Sequence, residues 1–210
     1  MRAFFYLSAL LFSTVLQAQT FPDAADFTAG DKLTYQTKAS GKSSKYEFIF
    51  TEASVSQVKG TASIDGKQME FESPAHGYLG KEFCLADVME CEWSPSVKLF
   101  DKTTKVGDKW TATTNIKLKN NTVVDEVIEF KAEKFEKVKV PAGEFESIRV
   151  YATGTIKAKV EKGDVYNGTL KMTTWFGVVN NRLVMIKREY TNSFKQPFSQ
   201  ELSKLPELVN

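Results

Sequence analysis

The sequence predicts a mostly β protein: a curved antiparallel meander sheet that forms a half-barrel or a barrel. Three observations predict it. Apolar and polar residues alternate with period two in run after run. Gly, Asn and Asp clusters fall between the runs, where hairpin turns need them. About ten strands of this length tend to coil, and closure removes exposed edges.

The first element is an address rather than part of the fold. Arg2 supplies a positive start, an apolar run follows as far as Leu16, and small Ala18 precedes polar Gln19. Residues 1–18 read as a secretory signal peptide. The run is too short for a membrane span with ordinary flanks, and no second long apolar run follows. The mature chain, residues 19–210, is therefore expected as a single antiparallel β domain in the periplasm or outside the cell, without a transmembrane segment.

The strands follow in order. Leu33, Tyr35 and Thr37 alternate with polar neighbours, as do Tyr46, Phe48 and Phe50. Asp65-Gly66 is a two-residue hairpin signature. Alternation fails over residues 74–95, which read as a short helical or irregular insertion. It resumes at Trp110, Ala112, Thr114, Ile116 and Leu118. In the next run the apolar set is Val124, Ile128, Phe130 and Ala132, then shifts phase to Phe135, Val138 and Val140. A bulge flips the phase in this way, so a long bulged strand is expected, with a helix as the alternative. Pro141-Ala142-Gly143 turns the chain into the next strand. Ile156, Ala158 and Val160 alternate, then Tyr166, Leu170, Met172 and Phe176. Asn180-Asn181 is a further turn. Residues 198–205 read as a terminal edge strand. Ala29-Gly30-Asp31-Lys32-Leu33-Thr34 resembles Val106-Gly107-Asp108-Lys109-Trp110-Thr111, a weak repeat that relates residues 29–72 to 106–140.

The chemistry is sparse. There are 28 basic and 26 acidic residues, a net charge of +2, which gives no reason to expect nucleic acid. The single histidine, His76, has no nucleophile pattern around it. No cluster has zinc or calcium spacing, and no glycine-rich phosphate loop occurs. Neither catalytic nor metal-binding residues are assigned, and no cofactor is expected. Glu126, Glu129, Glu133 and Glu136 alternate with lysines as a solvated strand face would. Cys84 and Cys91, close together in the chain, suit a disulfide in an oxidising compartment.

Two segments are apolar on both faces. Adjacent strand residues point opposite ways, so Trp175 and Phe176 cannot both enter one core. Leu183, Val184, Met185 and Ile186 likewise need cover on both sides. A helix inside a curved sheet would provide it, and so would a bound apolar ligand. The candidate ligand-binding residues are Trp110, Met172, Trp175, Phe176, Leu183 and Met185.

The run Val138-Lys139-Val140-Pro141-Ala142-Gly143-Glu144-Phe145 resembles the val-pro-ala-gly-x-phe hairpin of TapB-like bacterial envelope proteins of unknown function. Val106-Gly107-Asp108-Lys109-Trp110 is similar to that family's gly-asp-x-trp strand opening. Trp175-Phe176 and Val184-Met185-Ile186-Lys187 resemble its ending, although residues 177–183 depart from its Pro-Gly-rich link. The resemblance covers roughly residues 107–190. It implies a curved antiparallel sheet and secretion, and it implies no reaction. The expected function is non-enzymatic binding of a lipid or other apolar or amphipathic small molecule. Two alternatives remain: a module that binds an envelope protein partner through a sheet edge, and a hydrolase of polysaccharide or lipid.

Overall fold

The computed structural model describes residues 21, 24–39, 41–54, 57–74, 77–84, 89–118, 122–161, 163–194 and 197–209. The signal-peptide segment and His76 lie outside them. The strands are β1 (Lys32–Ala39), β2 (Lys42–Ala53), β3 (Val58–Ile64), β4 (Lys67–Ser73), β5 (Tyr78–Cys84) and β6 (Met89–Lys98). They continue as β7 (Lys109–Leu118), β8 (Val123–Val140), β9 (Gly143–Lys159), β10 (Val165–Val179), β11 (Arg182–Asn192) and β12 (Phe198–Leu202). Each pairs antiparallel with its neighbours in sequence, and β12 returns to pair with β1, so the sheet closes into a barrel. No helix occurs among the described residues.

Local chemistry accounts for the turns. Asp65 and Gly66 both hold positive φ, at 48° and 83°, as a type I′ hairpin requires. Asn180 and Asn181 do the same at 49° and 61°. The two Gly-Asp-Lys segments are alike in hydrogen bonding too. Gly30 N donates to Phe50 O and Phe50 N to Asp31 O, while Gly107 N donates to Ala132 O and Ala132 N to Asp108 O. Asp31 and Asp108 each accept from the backbone N–H three residues earlier, at 2.8 Å.

The long β8 is a strand, with its register shift between Ala132 and Lys134, where the apolar phase changes. Two other expectations are corrected. The described residues of 74–95 form no helical insertion, because β5 and most of β6 lie there as barrel strands. The alternation of β5 is hidden by a register shift between Leu79 and Lys81, which reverses the phase inside a seven-residue strand. The second concerns β12, which is no edge strand. It pairs with β1 from Tyr35↔Leu202 to Ala39↔Phe198 and with β11 from Lys187↔Glu201 to Tyr190↔Phe198.

Register assigns the two faces of the wall. Thr111, Glu129, Thr153, Lys171 and Thr191 are successive partners across five strands, and this row faces solvent. The neighbouring row is Trp110, Phe130, Ala152, Met172 and Tyr190, and it faces inward. The outward face is thus the polar one, unlike the apolar outer band of a membrane barrel. A lumen of this strand number is wider than one layer of aliphatic side chains can fill, and aromatic rings fill much of it. Phe27 stacks on Phe50 at 4.3 Å, and Phe100, from the loop after β6, stacks on Phe176 at 4.7 Å. Phe21 meets the edge of Phe135 at 5.5 Å. The chain before β1 and the β6–β7 loop therefore close one end of the barrel.

Asp31 fastens that end. It is fully buried, accepts from Thr28 N at 2.8 Å and Val209 N at 2.9 Å, and pairs with Arg182 Nε at 3.2 Å. Burial alone would raise its pKa, but the two backbone donors and the Arg182 guanidinium outweigh burial and hold it below the usual value. One carboxylate thus joins the chain before β1, the start of β11 and the C-terminal tail.

Candidate functional site

The lumen is not filled completely. A cavity of about 80 Å³ remains between β1–β5 on one side and β10–β12 on the other. Its apolar wall is aromatic. Tyr35 meets Phe48 edge-on at 5.9 Å, and Phe48 meets Phe71 edge-on at 5.3 Å. Phe176 and Met185, register partners on β10 and β11, close the opposite side.

The cavity also has a polar side. Thr37, Gln200, Arg188 and Thr174 are successive partners across β1, β12, β11 and β10, and all four are buried. Arg188 Nη2 donates to Gln200 Oε1 at 2.9 Å, and the guanidinium lies 5.6 Å from the centre of the Phe198 ring. Both residues border the cavity, together with Ser73 and Lys81. An arginine that is 3% exposed inside a barrel is uncommon, because removing its charge from water costs several kcal/mol, on the order of what a good partner returns. Its retention beside a cavity marks the place as a candidate site.

The wall next to the cavity is thin. Strands β4 and β5 share a single register pair, Glu72↔Lys81. Ser73 Oγ reaches across to donate to Tyr78 O at 3.2 Å. Gly80 sits so close to β4 that a Cβ there would lie 2.2 Å from Glu72 O, so no larger residue fits without parting the strands. Phe71 and Ser73 of β4 and Leu79 to Lys81 of β5 all border the cavity. The seam therefore borders it directly.

A second ionisable group lies within the barrel wall. Glu126 is 7% exposed, on the inward phase of β8 opposite Thr114 and Ile156. Burial raises its pKa to about 7. Tyr190 is pushed up to about 12, by burial first and then by the Glu126 charge, against a hydrogen bond from Asn192.

The structure separates the six candidate residues. Phe176 and Met185 border the cavity. Met172 and Leu183 are buried in the core away from it. Trp110 stacks on Phe130 at 5.2 Å and donates from Nε1 to Lys98 O at 2.9 Å. Trp175 lies on the other face of β10, where its Nε1 donates to Glu136 at 2.8 Å and Lys187 Nζ sits 5.6 Å from the ring centre. A register shift between Trp175 and Phe176 accompanies their split. Arg188, Gln200 and Glu126 carry the polar features, and reading the sequence alone does not single them out as a site. Two of them do leave a signal: Gln200 lies between Phe198 and Leu202, and Glu126 between Val124 and Ile128. A polar residue in the apolar phase of a strand points into the lumen.

Comparison with known proteins gives a fold and no family. No protein-family model matches the chain, and no curated protein does. One similar crystal structure, from Parabacteroides distasonis, is of a protein provisionally named a lipoprotein. It shares 14% identity over 90% of this chain and 99% of the other, with a TM-score of 0.53. A second, from Bacteroides fragilis, is of a provisionally named exported protein with a YmcC-like fold. It shares 15% identity over the same fractions, with a TM-score of 0.49. At such identity the likeness to the first structure concerns the fold alone: the chain is similar in architecture to that Parabacteroides distasonis protein.

Proposed function

We propose that this protein is an exported bacterial envelope protein that holds an amphipathic small molecule inside its barrel and carries out no reaction on it. The carrying observation is the cavity, which has an aromatic wall, one buried guanidinium–amide pair and a thin seam beside it. Export is supported by the signal-peptide pattern of residues 1–18, the TapB-like motifs and the lipoprotein name of the structural neighbour. Phe176 and Met185 are the ligand contacts we assign. The edge-binding alternative is disfavoured, because closure leaves β12 without a free edge.

The cavity's volume limits what fits. About 80 Å³ is roughly half the engineered cavity that accommodates benzene. A polar head and a few carbons fill it, and a longer chain must displace the β4–β5 seam. The test is native mass spectrometry of protein purified gently from its own envelope. An added mass that organic extraction removes, and that a mixture of amphiphiles restores, is expected. A bare chain that takes up no amphiphile after extraction would overturn the reading and turn attention to protein partners.

A further inference from the structure

The polar side of the cavity selects the head group of what binds there. Arg188 is the buried basic residue that borders the cavity; Lys81 borders it too but is exposed, opposite exposed Glu72, and among the described residues no acidic residue borders it. The hydrogen bond from Arg188 Nη2 to Gln200 Oε1 fixes the amide's orientation, with its oxygen towards the guanidinium. The amide nitrogen is then presented as a donor. Gln200 is fully buried, and its Nε2 has no hydrogen-bond partner among the described residues. A buried donor left without an acceptor is costly, and native proteins rarely retain one without a use.

The unpaired amide N–H of Gln200, set beside a guanidinium, suits an acceptor that is anionic and planar. We propose that Arg188 and Gln200 together bind the carboxylate of an amphipathic monocarboxylic acid, whose hydrocarbon lies against Phe71, Phe176 and Met185. This inference rests on the ligand-holding reading above. A carboxylate matches the planar fork of arginine and accepts from two donors at once. Its few atoms suit a cavity of about 80 Å³ better than a tetrahedral phosphate does. The aromatic wall excludes water around the ion pair and so strengthens it.

Calorimetric titration of the full-length, solvent-extracted protein with octanoate, octanol and octylamine tests the head group. Octanoate binds, octanol binds about tenfold or more weakly, and octylamine does not bind. Gln200→Glu places a carboxylate of the chain's own beside Arg188. It lowers octanoate affinity about a hundredfold without lowering the thermal midpoint. Arg188→Met loses the preference for octanoate over octanol. Equal binding of all three probes, or octanoate affinity unchanged in Gln200→Glu, overturns the carboxylate assignment and leaves a carrier of unspecified head group. Failure of every probe to bind overturns the ligand-holding reading itself. The selectivity of the unmodified protein decides between these outcomes even where a variant does not fold.

Discussion

Two carboxyl groups inside the same barrel carry opposite consequences for stability. Asp31 is held below its ordinary pKa by donors that outweigh its burial. Its contribution is present above the ordinary carboxylate range and is lost as pH falls through the depressed folded value. Glu126 has burial and no opposing donor, so its folded pKa rises to about 7 from an ordinary 4.5. Below 4.5 it is protonated in folded and unfolded chains alike and contributes nothing. Between 4.5 and about 7 the folded chain binds the extra proton, so stability falls as pH rises, and above 7 the full penalty remains. Glu126→Gln should therefore stabilise the protein at pH 8, by up to about 3 kcal/mol, and do little at pH 4. Urea unfolding at the two pH values checks this, and an equal gain at both would show that burial of the charge is not the cause.

Among the strands, β4 and β5 stand apart. Their single register pair among the described residues contrasts with the long ladders from β7 to β11, and the cavity lies directly behind them. A double variant, Glu72→Cys with Lys81→Cys, would lock that pair when oxidised. We expect oxidation to slow uptake and release of an amphiphile relative to the same variant reduced, measured by stopped-flow fluorescence. The unmodified protein under the same reductant is the control. Equal rates in both forms would place the route elsewhere. The next hairpin brings the cysteines near each other, since Cys84 pairs with Met89 and Cys91 with Glu82, which sets them diagonally on one face. We propose that they are bonded and keep β5 attached to β6 while β5 parts from β4. Iodoacetamide should label neither before reduction and both after it. The double serine variant should lose about 2 kcal/mol of stability, on the order expected for a short closed loop.

At the level of the whole molecule, closure by β12 gives every strand two neighbours and removes the sheet's edges. The closing strand is short, at five residues, and its inward side chains are Phe198, Gln200 and Leu202. Leu202 is fully buried opposite Tyr35, and its carbonyl accepts from Ala142 N at the β8–β9 turn, at 3.2 Å. Leu202→Ala should cost about 3 kcal/mol through the cavity it leaves. Because one strand closes the circle, the loss should accelerate amide exchange in β1 as well as in β12. Faster exchange in β12 alone would show that the barrel tolerates an open seam there.

Alternation, turn chemistry and one phase shift were enough to determine the β class, most of the strands, the Asp65-Gly66 and Asn180-Asn181 turns and the bulge in β8. All of these are local: side-chain direction repeats every two residues, and turn residues must accept positive φ. Strand β5 escaped because a register shift at Gly80 reverses the phase within seven residues, too few to show a period; in β6, Cys91, Trp93 and Val97 do alternate with polar residues, but Pro95 interrupts the apolar phase. The candidate site was legible only in part. Phe176 and Met185 stand out because their segments are apolar on both faces. Arg188 looks, in its own strand, like one more polar residue, and Gln200, although its place between Phe198 and Leu202 turns it inward, shows nothing of its partner. Only the pairing of β11 with β12, and of β12 with β1, puts them side by side at the cavity. Tertiary structure alone also decided that the sheet closes. Closure depends on register and curvature summed around all the strands, which no single stretch of sequence contains.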